Sequence, residues 1–184
     1  MKILVIEGNP KEDGLCRAIT DELIKGAKDG GAEVAELNTL KIDRCRMCGT
    51  GWGPCQSMHR CVFGENDGFD AAQKLASEAD ALIIISPVYW NEESESMKAF
   101  LDRLRRCERN TGDKHSLRGK LAILAASAGG TGNGTITCLE ELGRFCSHTG
   151  MKVYDYISVN RWNREYKAAA AYAAAYALAS GVRG

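Results

Sequence analysis

Five short strand-like runs, separated by stretches of helical periodicity, constrain this chain more than anything else in its sequence. The runs occupy residues 2–7, 33–37, 81–85, 121–126 and 152–156. Between them Ala18, Ile19, Leu23, Ile24 and Ala27 recur at helical spacing, as do Phe69, Ala72, Leu75 and Ala76, then Met97, Phe100, Leu101 and Leu104. Further helices are expected near 135–148 and over about 164–179, the last rich in alanine. The runs at 81–85 and 121–126 are apolar at every position, as strands covered on both faces must be. Residues 33–37 instead alternate polar and apolar, which suits the edge of a sheet. Strands alternating with helices predict the α/β class: a five-stranded parallel sheet with helices on both faces.

A chain of 184 residues is the size of one such domain, and no repeat or linker divides residues 1–184. One irregular excursion, at about 44–68, holds four cysteines and five glycines, and loops of this length inside a domain are usually functional. The 24 acidic residues balance 24 basic ones, so nothing in the net charge favours nucleic acid or an anionic membrane as partner. No segment has the length of a membrane span, and the N-terminus enters a strand pattern without a secretory signal, so a cytoplasmic location is expected. A chain with 45% hydrophobic residues needs no disulfide staples, and its eight cysteines read as reduced thiols or metal ligands.

In the flavodoxin-like, doubly wound arrangement of such a sheet (strand order 2-1-3-4-5), ligands sit outside the carboxyl ends of the strands, where the winding reverses. Three loops meet that edge. The first, Gly8-Asn9-Pro10-Lys11-Glu12-Asp13-Gly14-Leu15-Cys16, enters a helix whose N-terminal N–H groups favour an anion, with Lys11 adding a charge. On these residues alone, a purely structural turn is the more ordinary use of such a loop. The second, Ser86-Pro87-Val88-Tyr89-Trp90-Asn91, places two large aromatics after a buried strand. They can face a planar ring or pack on a neighbouring helix or subunit. The third is the glycine-rich turn at 129–134.

Residues 79–90, Ala-Asp-Ala-Leu-Ile-Ile-Ile-Ser-Pro-Val-Tyr-Trp, with Met97-Lys98-Ala99-Phe100-Leu101-Asp102-Arg103, resemble the hallmark of the NAD(P)H-dependent FMN reductase family. That family includes the iron–sulfur flavoproteins, and its members show Ser-Pro-x-Tyr-Trp followed by a Lys-Ala-Phe-hydrophobic-Asp-Arg helix. The first loop is similar to the family's Ser-Pro-Arg-x-x-Gly-x-Thr: Pro10 and Gly14 are kept and Lys11 is conservative, while Asn9 and Cys16 replace hydroxyl residues. The resemblance implies that Asn9, Pro10, Lys11, Gly14, Leu15 and Cys16 hold the FMN phosphate. It implies that Pro87, Val88, Tyr89, Trp90 and Asn91 border the flavin ring, with Ser127, Gly129, Gly130 and Gly132 on its other side. The lost hydroxyls point to a weakly held, exchangeable FMN.

Cys45-x2-Cys48-x6-Cys55-x5-Cys61 stands where iron–sulfur flavoproteins carry the cysteines of a 4Fe-4S cluster, with a longer gap between its second and third members. Zinc, or no metal, are the alternatives for four such thiols. Cys107, Cys138 and Cys146 fall on expected helices and read as small buried residues. His59, His115 and His148 form no ligand or triad spacing and read as surface residues, and Tyr166, Tyr172 and Tyr176 suggest a packed face of the last helix.

The expected activity is electron transfer through FMN from NAD(P)H or another reductant to a small acceptor such as a quinone, a flavin or an iron–sulfur partner. The alternative is an iron–sulfur flavoprotein acting as electron carrier or redox sensor without its own hydride donor. No Gly-x-Gly-x-x-Gly fingerprint follows the first strand, so the residues themselves name no donor. No side chain need act as acid or base, since the flavin carries the chemistry. The resemblance also implies a homodimer or higher homo-oligomer.

Overall fold

The computed structural model describes residues 1–109 and 116–181. In chain order its elements are β1 (Lys2–Glu7), α1 (Gly14–Asp29), β2 (Glu33–Asn38), the single turn α2 (Cys55–Met58), α3 (Phe69–Glu78), β3 (Ala81–Tyr89) and the two-residue β4 (Glu92–Glu93). They continue with α4 (Glu95–Cys107), β5 (Leu121–Ser127), α5 (Thr135–Thr149), β6 (Lys152–Val159) and α6 (Arg164–Ser180). The long strands run parallel in the order β2-β1-β3-β5-β6, and β4 pairs antiparallel with the end of β3. Setting β4 aside, this is the 2-1-3-4-5 winding expected from the apolar runs, and the fold is flavodoxin-like.

The period-2 geometry of the strands divides the core. Ile3, Val5, Ile83, Ile85, Ile123 and Ala125 face α1 and α6, while Leu4, Ile6, Leu82, Ile84, Ala122 and Leu124 face α3, α4 and α5. Each of the fully buried valine, leucine and isoleucine side chains among them contributes about 1.5–3 kcal/mol relative to exposure. Helix α1 ends at Gly30-Gly31, where Gly31 takes φ +90° and Ala32 N–H closes onto Ala27 O at 3.0 Å.

Two expectations change. The last helix packs through Ala171, Ala175 and Leu178, not through its tyrosines. Tyr166 and Tyr176 are exposed, and Tyr172 donates from its rim position to Asp29 Oδ2 at 2.9 Å. The close approach is set by glycines of α1, since a Cβ on Gly26 would lie 2.2 Å from Tyr172 O. The third strand also runs further than its apolar stretch, carrying Ser86, Pro87, Val88 and Tyr89 in β structure rather than in a loop. Val88 pairs with Glu93 and Tyr89 with Glu92, leaving Trp90-Asn91 as a two-residue hairpin turn. Both turn residues have positive φ, 53° and 72°, the pattern of a type I′ turn. Asn suits such a position; Trp does not, and strain of this kind gathers at functional sites.

Candidate functional site

Glu7, Tyr89 and Ser127 end their strands on one edge of the sheet, so the three loops foreseen from sequence do converge. In the first, the Asn9 side chain folds back on its own loop: Oδ1 accepts from Lys11 N at 3.2 Å and Nδ2 donates to Lys11 O at 2.5 Å. Asn38 Nδ2, from the end of β2, donates to Asn9 O at 3.0 Å. Asp13 precedes α1 without capping it by a side-chain bond, and no acidic residue stands in the first turn. The N-terminal N–H groups of a long helix are thus left facing the loop, an arrangement that attracts an anion. Lys11 and Pro10 are exposed beside them, and Leu15 is half-buried. The Cys16 side chain turns into the core next to Ile19, where burial, then the neighbouring Glu7, pushes its thiol far up. Of this segment, the backbone around Lys11–Gly14, the Lys11 ammonium and the exposed faces of Pro10 and Leu15 are what a ligand can reach.

Beneath the loop, Glu7 is buried and accepts from Arg17 Nη1 at 3.1 Å and Thr20 Oγ1 at 3.2 Å. Burial pushes its carboxyl above the ordinary value of 4.5, and Arg17, Thr20 and Asn9 oppose the shift. Gly8 is pressed against α4: a Cβ there would lie 2.6 Å from Ser94 Oγ. Ser94 caps α4, accepting from Met97 N at 3.3 Å, donates through Oγ to Gly8 O at 2.7 Å, and is held in turn by Ser86 Oγ, which accepts from Ser94 N at 2.9 Å. Ser86 therefore ties the hairpin to the first loop from inside.

On the outer side, Pro87 is buried, Val88 half-buried and Asn91 exposed, while Tyr89 is 46% and Trp90 97% exposed. The third loop presents Gly129 and Gly130 with open space where a Cβ would stand, and Gly132 at φ +94°. Ser127 is buried at the strand end. Sequence reasoning missed the support of this loop. Asn160 Nδ2 donates to Thr131 O at 3.4 Å, its Oδ1 accepts from Trp162 N at 2.9 Å and Asn163 N at 3.1 Å, and Asn163 Oδ1 accepts from Asn160 N at 2.7 Å. The Asn-x-x-Asn spacing just past the last strand is the signal that could have shown it. An open cavity of about 470 Å³ beside Tyr89 and Pro10 is also lined by Leu40, Ile42, Asp43 and Arg44, which were unforeseen. Its size is that of a small-molecule site.

The excursion brings Cys45, Cys48, Cys55 and Cys61 to one apolar cavity and adds a fifth thiol, Cys107 of α4, which the sequence suggested only as a small buried residue. Arg46, Arg103 and Arg106 line the same space. Arg103 Nε donates to Cys61 Sγ at 3.3 Å and Met47 N to Cys45 Sγ at 3.4 Å. A Cβ on Gly53 would lie 2.2 Å from Cys48 Sγ, so a larger residue there would make that thiol swing aside. Among the described residues, no group of three or more His, Cys, Asp or Glu is arranged to hold a single metal ion. The donor set, four thiols with N–H donors and guanidinium charge around them, fits an iron–sulfur cluster. The space between the thiols is about 20 Å³, room for one water. His59 is not a bare surface residue, since its Nδ1 meets Cys107 O at 3.0 Å; His148 is exposed and His115 lies outside the described residues.

A sequence model of the NADPH-dependent FMN reductase family matches residues 1–177. The chain belongs to that family. This FMN reductase family member is 34% identical over 106 residues to an iron-sulfur flavoprotein of Archaeoglobus fulgidus, covering 56% of this chain and 46% of the relative. It is 29% identical over 136 residues to an iron-sulfur flavoprotein of Methanosarcina thermophila, covering 73% and 66%. The matched parts thus span between about half and two thirds of these curated relatives. Among solved structures, the NAD(P)H:quinone oxidoreductase from Methanothermobacter marburgensis superposes with a TM-score of 0.71 at 18% identity, covering 97% of this chain and 96% of that one. That likeness is one of fold. No helix among the described residues is long and apolar enough to cross a membrane.

Proposed function

We propose that this protein is an FMN-dependent oxidoreductase that passes electrons from NAD(P)H or another reductant to a small acceptor: a quinone, a flavin or an iron–sulfur partner. The observation that carries the reading is the meeting, at one sheet edge, of an uncapped helix N-terminus, a strained aromatic hairpin and a glycine loop open to solvent. The backbone N–H groups at the start of α1 and Lys11 would hold the phosphate. Pro87, Val88 and Asn91 would border the ring, Tyr89 and Trp90 would shape its substrate side, and Ser127, Gly129, Gly130 and Gly132 would close the other. Bound FMN supplies hydride and one-electron chemistry. Cys45, Cys48, Cys55 and Cys61 would hold a 4Fe-4S cluster, which supplies one-electron transfer, with Arg46, Arg103 and Arg106 offsetting its negative charge. A cytoplasmic homodimer, with the exposed Trp90 edge at or near the contact, belongs to the same reading.

A second reading is favoured by the thiol cavity: an electron carrier or redox sensor that has both groups and no hydride donor of its own. The absorbance spectrum of anaerobically purified protein, with iron and sulfide assays, tests both; flavin bands are expected, and their absence after incubation with FMN would overturn either. Stopped-flow reduction by NADH and NADPH then separates enzyme from carrier. Because Trp90 is 97% exposed, truncating Tyr89 and Trp90 together to alanine is expected to change stability by less than about 1 kcal/mol. Turnover at saturating FMN should fall by about tenfold as the ring loses its positioning faces. Unchanged turnover would show that the site lies elsewhere.

A further inference from the structure

Below the hairpin, between α4 and α5, lies a cavity of about 180 Å³ that none of the chemistry above uses. Glu93, the last residue of β4, lines it and is only 7% exposed. Glu141 of α5 lines it too, and the two carboxyl groups meet there. Yet Glu93 Oε2 and Glu141 Oε2 are both buried without a hydrogen-bond donor among the described residues. Two ionised carboxylates can only accept, so in contact they repel and leave both oxygens unsatisfied. One proton between them removes the repulsion and supplies an O–H···O⁻ bond of the short, strong kind.

The pair is well placed to matter. Glu93 follows the Trp90-Asn91 turn by two residues, and β4 is held on one side by β3 and on the other by α5. The turn is pressed on the start of α5, where a Cβ on Gly134 would lie 2.4 Å from Asn91 Cα. A contact between β4 and α5 therefore sets how closely the aromatic turn sits over the ligand edge.

We propose that Glu93 and Glu141 share one proton and act as positioning residues, clasping β4 to α5 so that the Tyr89-Trp90-Asn91 turn stays closed on FMN and releases it when that proton leaves. This rests on the flavin reading of the site. The other groups facing the pair do not supply a substitute. On α4, Lys98 is 2.8 Å from Asp102 in an ion pair, and Arg105 stands at the rim. On α5, Arg144 pairs with Glu140 at 3.8 Å, His148 is exposed, and Cys138 is a buried thiol pushed up to about 12. On β3, Tyr89 points to the ligand edge cavity. Burial, then Glu141, pushes the Glu93 acid up to about 8, against the opposing effects of its own backbone amide and of the Lys98 charge. The sign follows: the folded-state value is raised, so the proton is in place at pH 7, and the closure it provides is lost as the pH rises through about 8.

The test is FMN affinity, by flavin-fluorescence titration of the full chain between pH 7 and 9.5, a window in which the FMN phosphate is already a dianion. Wild-type affinity should fall by about fivefold or more across the window. Glu93→Gln and Glu141→Gln, whose amides donate without titrating, should each bind FMN at pH 7 within about threefold of wild type and stay flat to pH 9.5. Infrared difference spectra of the FMN-free protein supply an independent readout: a protonated-carboxyl stretch at pH 7 that disappears by pH 9.5 and is missing from both variants. A flat wild-type profile, a fall that persists in both variants, or recovery of binding at pH 9 by millimolar Mg2+ would each overturn the proposal, the last by showing a cation in place of the proton. Protein that shows the infrared band but binds no FMN at pH 7 would overturn the flavin reading and leave the shared proton standing.

Discussion

Gly134→Val is expected to cost the protein its flavin, with the dissociation constant for FMN rising by about a hundredfold or more. Gly134 has φ +83°, and a Cβ there would lie 2.4 Å from Asn91 Cα and 2.5 Å from Asn91 Oδ1. A β-branched residue at positive φ costs about 1–2 kcal/mol by itself. The clash adds about 1–3 kcal/mol because the contacted atom is backbone and cannot swing away. The cheapest relief is to push the Trp90-Asn91 turn off α5, and that turn borders the proposed ring site. The sheet does not depend on it, so far-UV circular dichroism should be unchanged. Gly119→Val is the control: it carries the same positive-φ strain (φ +79°) before the opposite end of β5 and its added Cβ meets nothing within 4 Å, so FMN affinity should stay within about threefold of wild type. Wild-type affinity in Gly134→Val would mean that the hairpin does not form the ligand edge.

The second large effect is on stability. Arg103 is 2% exposed and is the hub of the cysteine excursion: Nη1 donates to Asp67 Oδ2 at 2.5 Å and to Asp43 O at 3.0 Å, and Nε donates to Cys61 Sγ. Its guanidinium also lies 4.2 Å from the Phe69 ring centre. Arg103→Met keeps the aliphatic volume but leaves Asp67, with a side chain 8% exposed, charged and unpaired. Breaking a buried pair in this way costs about 3–5 kcal/mol, a fall in Tm of about 10 °C for a chain of this size. Arg103→Met with Asp67→Asn should recover part of that loss, because no buried charge is then stranded. The pH dependence has a definite sign. Burial raises the Asp67 acid, but the Arg103 hydrogen bond, the Asp43 and Phe69 amides and the Arg103 charge outweigh it and hold the carboxyl below its ordinary value of 3.8. The stability this gives is present above pH 3.8 and lost as the pH falls through the depressed value. Arg103→Met should therefore narrow its Tm gap to wild type in acid. A Tm within about 2 °C of wild type at pH 7 would show that Arg103 is not the tether of this segment.

The fold was legible because the sheet's burial is written into consecutive residues. A run such as Ala81-Leu82-Ile83-Ile84-Ile85 can be covered on both faces only at the centre of a sheet, and β3 lies there between β1 and β5. The first loop and the glycine turn were legible for a similar reason, since both are punctuation at strand ends. Cys16 was not. A residue at a helix N-terminus reads as ligand-facing in sequence, yet α1 rotates its side chain onto Ile19 and the core. The hairpin was missed because Pro87 and the aromatics mimic a loop, while β4 is only two residues long and leaves no periodic trace.

What the amino-acid sequence determined by itself is the α/β class, the winding of the sheet, the sheet edge at which the three loops meet, and a family resemblance that the match over residues 1–177 bears out. All of these follow from local pattern: apolar period, glycine and proline placement, and short motifs. Only the tertiary structure decided which side chains share a space. It drew Cys107 to the four cysteines of the excursion, Asn160 beneath the glycine loop, and Glu141 against Glu93. These partners come from elements far apart in the chain. Their meeting depends on how helices rotate and pack over the sheet, which no spacing within one segment encodes.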